Sequence, residues 1–312
     1  MEDEGALEAQ PALRLTRVAK AFAGHEAVKD LSLEIGRGSV FGLLGPNGAG
    51  KTTTLRMIMN VLAPDSGSIE ILGAPSGQAS RDRIGYMPEE RGLYPRMFLE
   101  EQLLFMAELK GTRRADAVRR LPEWLERLGL AEWRKRRLNE LSKGMQQKAQ
   151  FIATVLHDPE ILILDEPMSG FDPLATDQMR ELLLEMRRKG KTIVLSSHQM
   201  ETVERLCDAI ALIDRGTKVL DGSVAAVKRR HGKNIVVLAF EGDGAFLDSL
   251  PGVAKVTRVG RHVEIRMLEA ADTQALLKEA ASRLRVSRFE IVEPSLHEIF
   301  VERVTARNGE AA

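Results

Sequence analysis

The string Gly45-Pro46-Asn47-Gly48-Ala49-Gly50-Lys51-Thr52 constrains this chain more than any other feature, because it matches G-x-x-x-x-G-K-S/T between the apolar run Val40 to Leu44 and a helical pattern. Glycines there let the backbone wrap an anion, with N–H groups and the positive end of the next helix turned inward. Lys51 is expected to reach the β- and γ-phosphates of a nucleotide as a point charge, and the Thr52 hydroxyl to hold the magnesium bridging those oxygens. Gly45, Pro46, Asn47, Gly48, Ala49, Gly50 and Thr53 complete the expected nucleotide loop. Leu55, Ile58, Met59 and Leu62 recur at helical spacing and define a face turned to a core.

At 312 residues the chain exceeds what one hydrophobic core fills, so a large domain with a smaller one is expected. Lys plus Arg and Asp plus Glu both total 45, which leaves no global charge footprint for nucleic acid or an anionic membrane. The single cysteine, Cys207, excludes an internal disulfide framework; it shares a helical face with Met200 and Val203 and reads as a small buried hydrophobe. No apolar stretch reaches the length of a membrane helix. Residues 1–11 lack the zones of a signal peptide and read as a disordered tail, as do residues 306–312.

Between Ala12 and Gly73 the pattern is strand-rich, with Leu13 to Val18, Ala27 to Ile35, Val40 to Leu44 and Ser68 to Leu72 as strands. A helical section spans Leu99 to Leu130, in which Pro122 should begin or kink a helix. The basic run Arg134 to Arg137 reads as a solvated face. Met145, Ala149, Ile152 and Leu156 line a helix, and Ile161 to Leu164 reads as a strand buried on both faces, ending at Asp165-Glu166. A second helix and a second buried strand, Thr192 to Leu195, end at Ser196-Ser197-His198. This alternation predicts a mostly parallel sheet whose carboxyl ends carry Asp165, Glu166 and His198. The carboxylates divide the work, Asp165 toward magnesium and Glu166 toward the attacking water.

A hairpin over Ala209 to Asp221 precedes a basic connector, placed at 225–233. Beyond it, strands at Ile235 to Phe240, Val253 to Val259, Val263 to Met267 and Val286 to Val292, with helices near Ala245 to Leu250 and Thr273 to Leu284, give the order β-α-β-β-α-β of a split βαβ unit. This unit, placed at 234–305, carries no nucleophile, metal cluster or phosphate loop and reads as packing or dimer support.

Across Leu13 to Gly222 the order of motifs resembles the ATP-binding cassette ATPases, the motor subunits of ABC transporters. Leu141-Ser142-Lys143-Gly144-Met145 is similar to the signature of that family, Ser169-Gly170-Phe171-Asp172 to its D-loop, and His198 to its switch histidine. The resemblance implies an α/β P-loop NTPase core over 12–224, with an N-terminal antiparallel β-subdomain and a helical subdomain, followed by a small α+β ferredoxin-like domain. Phe22 takes the place of the ring that stacks on adenine, and Glu89 that of the glutamine beside the metal.

The resemblance also implies ATP and Mg2+ as ligands, with two cassettes closing head to tail. Ser142 and Gly144 of one would then face the γ-phosphate held by the other, and Asp172 would couple the two sites. The partners so implied are transmembrane permease subunits and a second copy or homologous ATPase subunit, with no nucleic acid, at the cytoplasmic face of the membrane. The stretches Gly85 to Tyr94 and Glu293 to Phe300 resemble the NatA-type exporter subgroup, and Tyr94, Met97, Phe98 and Leu99 are candidates either for contact with a membrane subunit or for burial within the helical subdomain. Two other functions compete. A soluble ABC-type machine on nucleic acid or the ribosome would carry a long coiled coil, zinc modules or a second cassette, which this sequence lacks. A switch that binds ATP without cleaving it is opposed by intact Lys51, Asp165, Glu166 and His198.

Overall fold

The computed structural model describes residues 10–77, 82–90, 92–231, 235–260, 262–268 and 271–310, so residues 1–9 of the tail expected over 1–11 lie outside the described residues. The chain divides into two compact units, 1–222 and 223–312.

In the first unit, β1 (Leu13–Phe22), β2 (His25–Ile35), β4 (Ser66–Ile71) and β5 (Ala74–Pro75) form an antiparallel sheet in the order β2-β1-β4-β5. Its register sets Leu13 between Ile35 and Ile71, and Leu15 between Leu33 and Ile69, so alternate residues of three strands share one buried face. The second sheet holds β3 (Val40–Leu44), β6 (Ile84–Met87), β7 (Ile161–Asp165), β8 (Thr192–Ser197), β9 (Ala209–Asp214) and β10 (Thr217–Ser223) in the order β10-β9-β3-β8-β7-β6. Pairing from β9 through β6 is parallel, and every residue of β3 and β7 is buried, as expected for strands covered on both faces. One apolar cluster joins both sheets with α1 (Lys51–Ile58), drawing in Leu55, Ile58 and Met59 with Leu62 at its margin.

Helices α2 (Leu99–Leu109), α3 (Arg114–Arg127) and α4 (Lys143–Val155) follow β6, while α5 (Pro173–Arg188) and α6 (Met200–Leu206) follow β7 and β8. Pro122 does not begin a helix: it lies inside α3, where Ala117, Leu121 and Leu125 bury one stripe. Burial of that stripe outweighs the backbone bond that Pro122 cannot donate. The basic run is spent locally: Arg134 pairs with Glu100, Arg136 with Glu140 at 3.5 Å, and the Arg137 guanidinium stands over the Phe98 ring.

In the second unit, α7 (Val224–Arg230) occupies most of the stretch expected as a connector; Ser223 caps it by accepting from Ala226 N, and Val224 and Val227 are buried. Strands β11 (Ile235–Glu241), β12 (Val253–Val259), β13 (His262–Met267) and β14 (Arg285–Val292) pair antiparallel in the order β12-β13-β11-β14, the topology of a split βαβ unit. Helix α8 (Thr273–Arg283) and a 3-10 turn at Ala245–Ser249 lie over its core of Val236, Leu238, Leu247, Ile265 and Ala280. The turn does not lengthen into an α-helix because Leu250 precedes Pro251 and is extended, with ψ 142°. Residues 306–310, expected as a tail, continue α9 (Leu296–Glu310), since a helix nucleated by buried Leu296 and Ile299 propagates cheaply.

Candidate active site

The parallel sheet brings four strand ends to one edge. From β3 the chain turns at Gly45, whose φ of 150° and distance of 2.1 Å from a built Cβ to the Ile213 carbonyl oxygen leave no room for a side chain. At Gly50, φ is 105° and a Cβ would stand 2.3 Å from the Ala27 carbonyl oxygen, so this position too requires glycine. Gly50 is also the N-cap of α1 and brings no side chain to its orphan N–H groups. The Lys51 ammonium folds back into the loop, donating to the carbonyls of Gly45 at 2.7 Å and Pro46 at 3.1 Å. Burial lowers its pKa from the ordinary lysine value, while the negative charges of Glu166, Asp165 and Glu89 pull the other way.

At the ends of β7 and β8 the parallel register sets Asp165 beside Ser196. The fully buried Ser196 hydroxyl donates to Asp165 Oδ1 and accepts from the Glu166 N–H at 3.0 Å. Glu166 has a left-handed φ of 49°, rare for a residue with a side chain. Its carboxylate lies 2.9 Å from His198 Nδ1 and 3.9 Å from Lys51 Nζ. Asp165 Oδ2 is buried with no hydrogen-bond partner, one of few such atoms among the described residues.

Lys51 and Glu166 border a cleft of about 540 Å³ lined by Phe22, His25, Ala27, the loop from Asn47 to Thr53, Glu89 and Glu166, whereas Gly45, Pro46, Asp165 and His198 are not among its lining residues. Sequence reasoning missed His25 and Ala27. The signal for His25 was its pairing with Phe22 across the turn from β1 to β2, which sets both at one hairpin tip. Phe22 is 45% exposed there, with the Lys20 ammonium 5.7 Å from its ring centre.

The segment Leu141 to Met145 contributes nothing to this lining. Leu141 is buried as an anchor, Ser142 caps α4 by accepting from Met145 N at 3.3 Å, Lys143 is exposed, and the space about Gly144 is open. Asp172 caps α5, accepting from Ala175 N at 2.8 Å just before Pro173, a structural duty that sequence reading did not assign to it. Also missed were Gln147 and Gln150 on α4, whose amides reach the exits of β7 and β6. Of the candidate partner residues, Tyr94 and Phe98 are exposed, but Leu99 is fully buried at the start of α2 and is not a surface group. Its burial follows from the apolar stripe it shares with Leu103.

Fold and site together define a P-loop ATPase of the ATP-binding cassette type. Residues 28–169 match the family described as ABC transporter, and residues 222–304 match the C-terminal domain described as ATP-binding protein DrrA1-3-like. The uncharacterized ABC transporter ATP-binding protein YhaQ of Bacillus subtilis (strain 168) is 41% identical over 294 residues, 94% of this chain and 99% of that protein. The chain belongs to the ABC transporter ATP-binding protein family, whose members hydrolyse ATP to drive transport. The Nod factor export ATP-binding protein I of Paraburkholderia xenovorans (strain LB400) is 33% identical over 303 residues, covering 96% of this chain and 98% of that one. A solved ATP-binding subunit of an ABC transporter superposes with a TM-score of 0.67 at 32% identity, over 71% of this chain and 93% of that chain. Among the described residues no helix is long and apolar enough to cross a membrane.

Proposed function

We propose that the chain is the motor subunit of an exporter, binding Mg-ATP between two head-to-tail copies at the cytoplasmic face of the membrane and driving separate transmembrane subunits. One observation carries the reading: the cleft unites the phosphate loop with Glu166, yet Ser142 and Gly144 stand outside it on an open helix end. A second cassette would bring that end, with its free N–H groups and positive dipole, against the γ-phosphate. Association would then depend on an intact triphosphate. The Nod factor relative, matched over nearly its whole length, supports export as the direction.

Within one site, Lys51 would leave its loop carbonyls for the β- and γ-phosphates, and Phe22 would offer its exposed face to the base. The chain fits a magnesium ion, because the buried Asp165 oxygen lacks a partner and Thr52 and Glu89 both line the cleft. Thr52, Asp165 and Glu89 would hold it or its waters. The chemistry such an ion would supply there is neutralisation of phosphate charge. Glu166 would orient and deprotonate the attacking water, held by His198 on one side and by the Ser196 hydroxyl at its backbone. Asp172, at the start of α5, would couple the two sites. The second unit, 223–312, would serve as an accessory domain.

Glu166→Gln tests the whole scheme. The variant should keep ATP, hydrolyse it slower by about 100-fold or more, and elute as a dimer with Mg-ATP. A monomer under those conditions would overturn the head-to-tail site, and unchanged turnover would remove Glu166 from its role.

A further inference from the structure

Gln150 lies on α4, past the Ser142 cap, and is buried. Its side-chain amide donates to the Pro88 carbonyl at 2.8 Å and to the Glu90 carbonyl at 3.2 Å. Those carbonyls flank Glu89, and of these three residues Glu89 alone lines the phosphate cleft. The segment has left β6 and belongs to no strand or helix, so no sheet ladder fixes it.

Helix and strand are set close enough for this reach. A Cβ on Gly85 would stand 2.3 Å from the Thr154 carbonyl oxygen, and the Thr154 hydroxyl, which donates to the Gln150 carbonyl one turn back at 2.9 Å, lies 3.4 Å from the Tyr86 carbonyl oxygen. On the same helix Gln147 donates to the Pro167 carbonyl at 2.9 Å, next to Glu166. A primary amide has two N–H donors, and here both are used on a single bend. A hydrocarbon of equal size would leave the bend with two carbonyls and no donor.

We propose that Gln150 is a positioning residue for the phosphate site: by clamping the backbone on both sides of Glu89, it holds that carboxylate in the cleft opposite Lys51 and Thr52. The proposal rests on the reading of Glu89 as a metal-side acid. Partners one step removed from a metal are worth about 10- to 100-fold in affinity or activity where they orient it.

The test uses the full-length chain with Gln150→Leu, Glu89→Ala and the double variant. Two quantities are read: the Mg2+ concentration that half-saturates binding of a fluorescent ATP analogue, and kcat for ATP. Gln150→Leu should raise the Mg2+ requirement about tenfold and lower kcat by a similar factor, with nucleotide affinity in the absence of metal unchanged. The double variant should be no worse than Glu89→Ala, because a displaced carboxylate and a deleted one are equivalent. Losses that multiply in the double variant, or a Mg2+ requirement unmoved by Gln150→Leu, would reduce Gln150 to an ordinary packing bond and overturn the proposal while sparing Glu89. A silent Glu89→Ala would instead remove the metal-side reading and the proposal with it. If the leucine variant does not fold, Gln150→Glu, of matched size and without an N–H donor, carries the same expectations.

Discussion

His198 Nδ1 stands 2.9 Å from Glu166 Oε1. An ionised carboxylate only accepts, so the pairing requires the proton on Nδ1 and leaves Nε2 directed elsewhere. The histidine is half exposed while its partner is buried. It can therefore steer the acid while meeting solvent or substrate with its other face.

For His198→Ala we expect ATP turnover to fall about 100-fold, with nucleotide affinity little changed, because the acid loses a fixed orientation and Lys51 keeps its place. Steady-state phosphate release and an equilibrium binding titration separate the two. Unaltered kcat would show that Glu166 is oriented without the histidine.

Ser196→Ala deletes one hydroxyl that serves two residues. The Glu166 N–H and Asp165 Oδ1 would both lose their partner inside the protein, a change of about 2–3 kcal/mol in stability. Urea denaturation followed by tryptophan fluorescence reads it, since Trp124 and Trp133, the only tryptophans, both lie in the first unit. We also expect a higher Mg2+ requirement for nucleotide binding, because Asp165 is freed to rotate. A stable variant with ordinary metal dependence would contradict the bridge.

Burial pushes the pKa of His157 down to about 4; its Nε2 lies 3.3 Å from the Ile84 carbonyl, and its Nδ1 is buried without a partner. The folded state thus holds the ring neutral while the unfolded chain takes a proton near pH 6.5. Stability contributed by this site is full above pH 6.5 and declines as pH falls toward 4, by about 3 kcal/mol at most. His157→Gln should flatten the denaturation midpoint between pH 4.5 and 7, roughly the window that linkage assigns to this ring. A slope equal to that of the parent would place the pH dependence elsewhere.

Much of this was legible because it is local. The phosphate loop, the buried strands β3 and β7, and Asp165-Glu166 at a strand end each follow from a few contiguous residues. The antiparallel accessory sheet was visible for the same reason, through its alternating apolar residues. What escaped depends on distance or on context. The Gln150 amide meets a carbonyl 62 residues away, and nothing in its neighbours announces that partner. Pro122 lies inside a helix and not at its start because the stripe around it, Ala117, Leu121 and Leu125, decides the helix. Glu166 has a left-handed φ, and its N–H is received by Ser196 on a neighbouring strand, a partner 30 residues away. A cap such as Asp172 was legible by motif resemblance yet hid its own backbone duty.

Cys207 packs under the strand that feeds the phosphate loop: a Cβ on Gly42 would stand 3.0 Å from its sulfur, and burial raises the thiol pKa beyond the reach of neutral pH. The native chain therefore offers maleimide reagents nothing to attack while it stays folded. Spectroscopic labels or cross-linkers can be installed through introduced cysteines, at Lys143 or Tyr94 for instance, with the wild-type thiol left in place and dark.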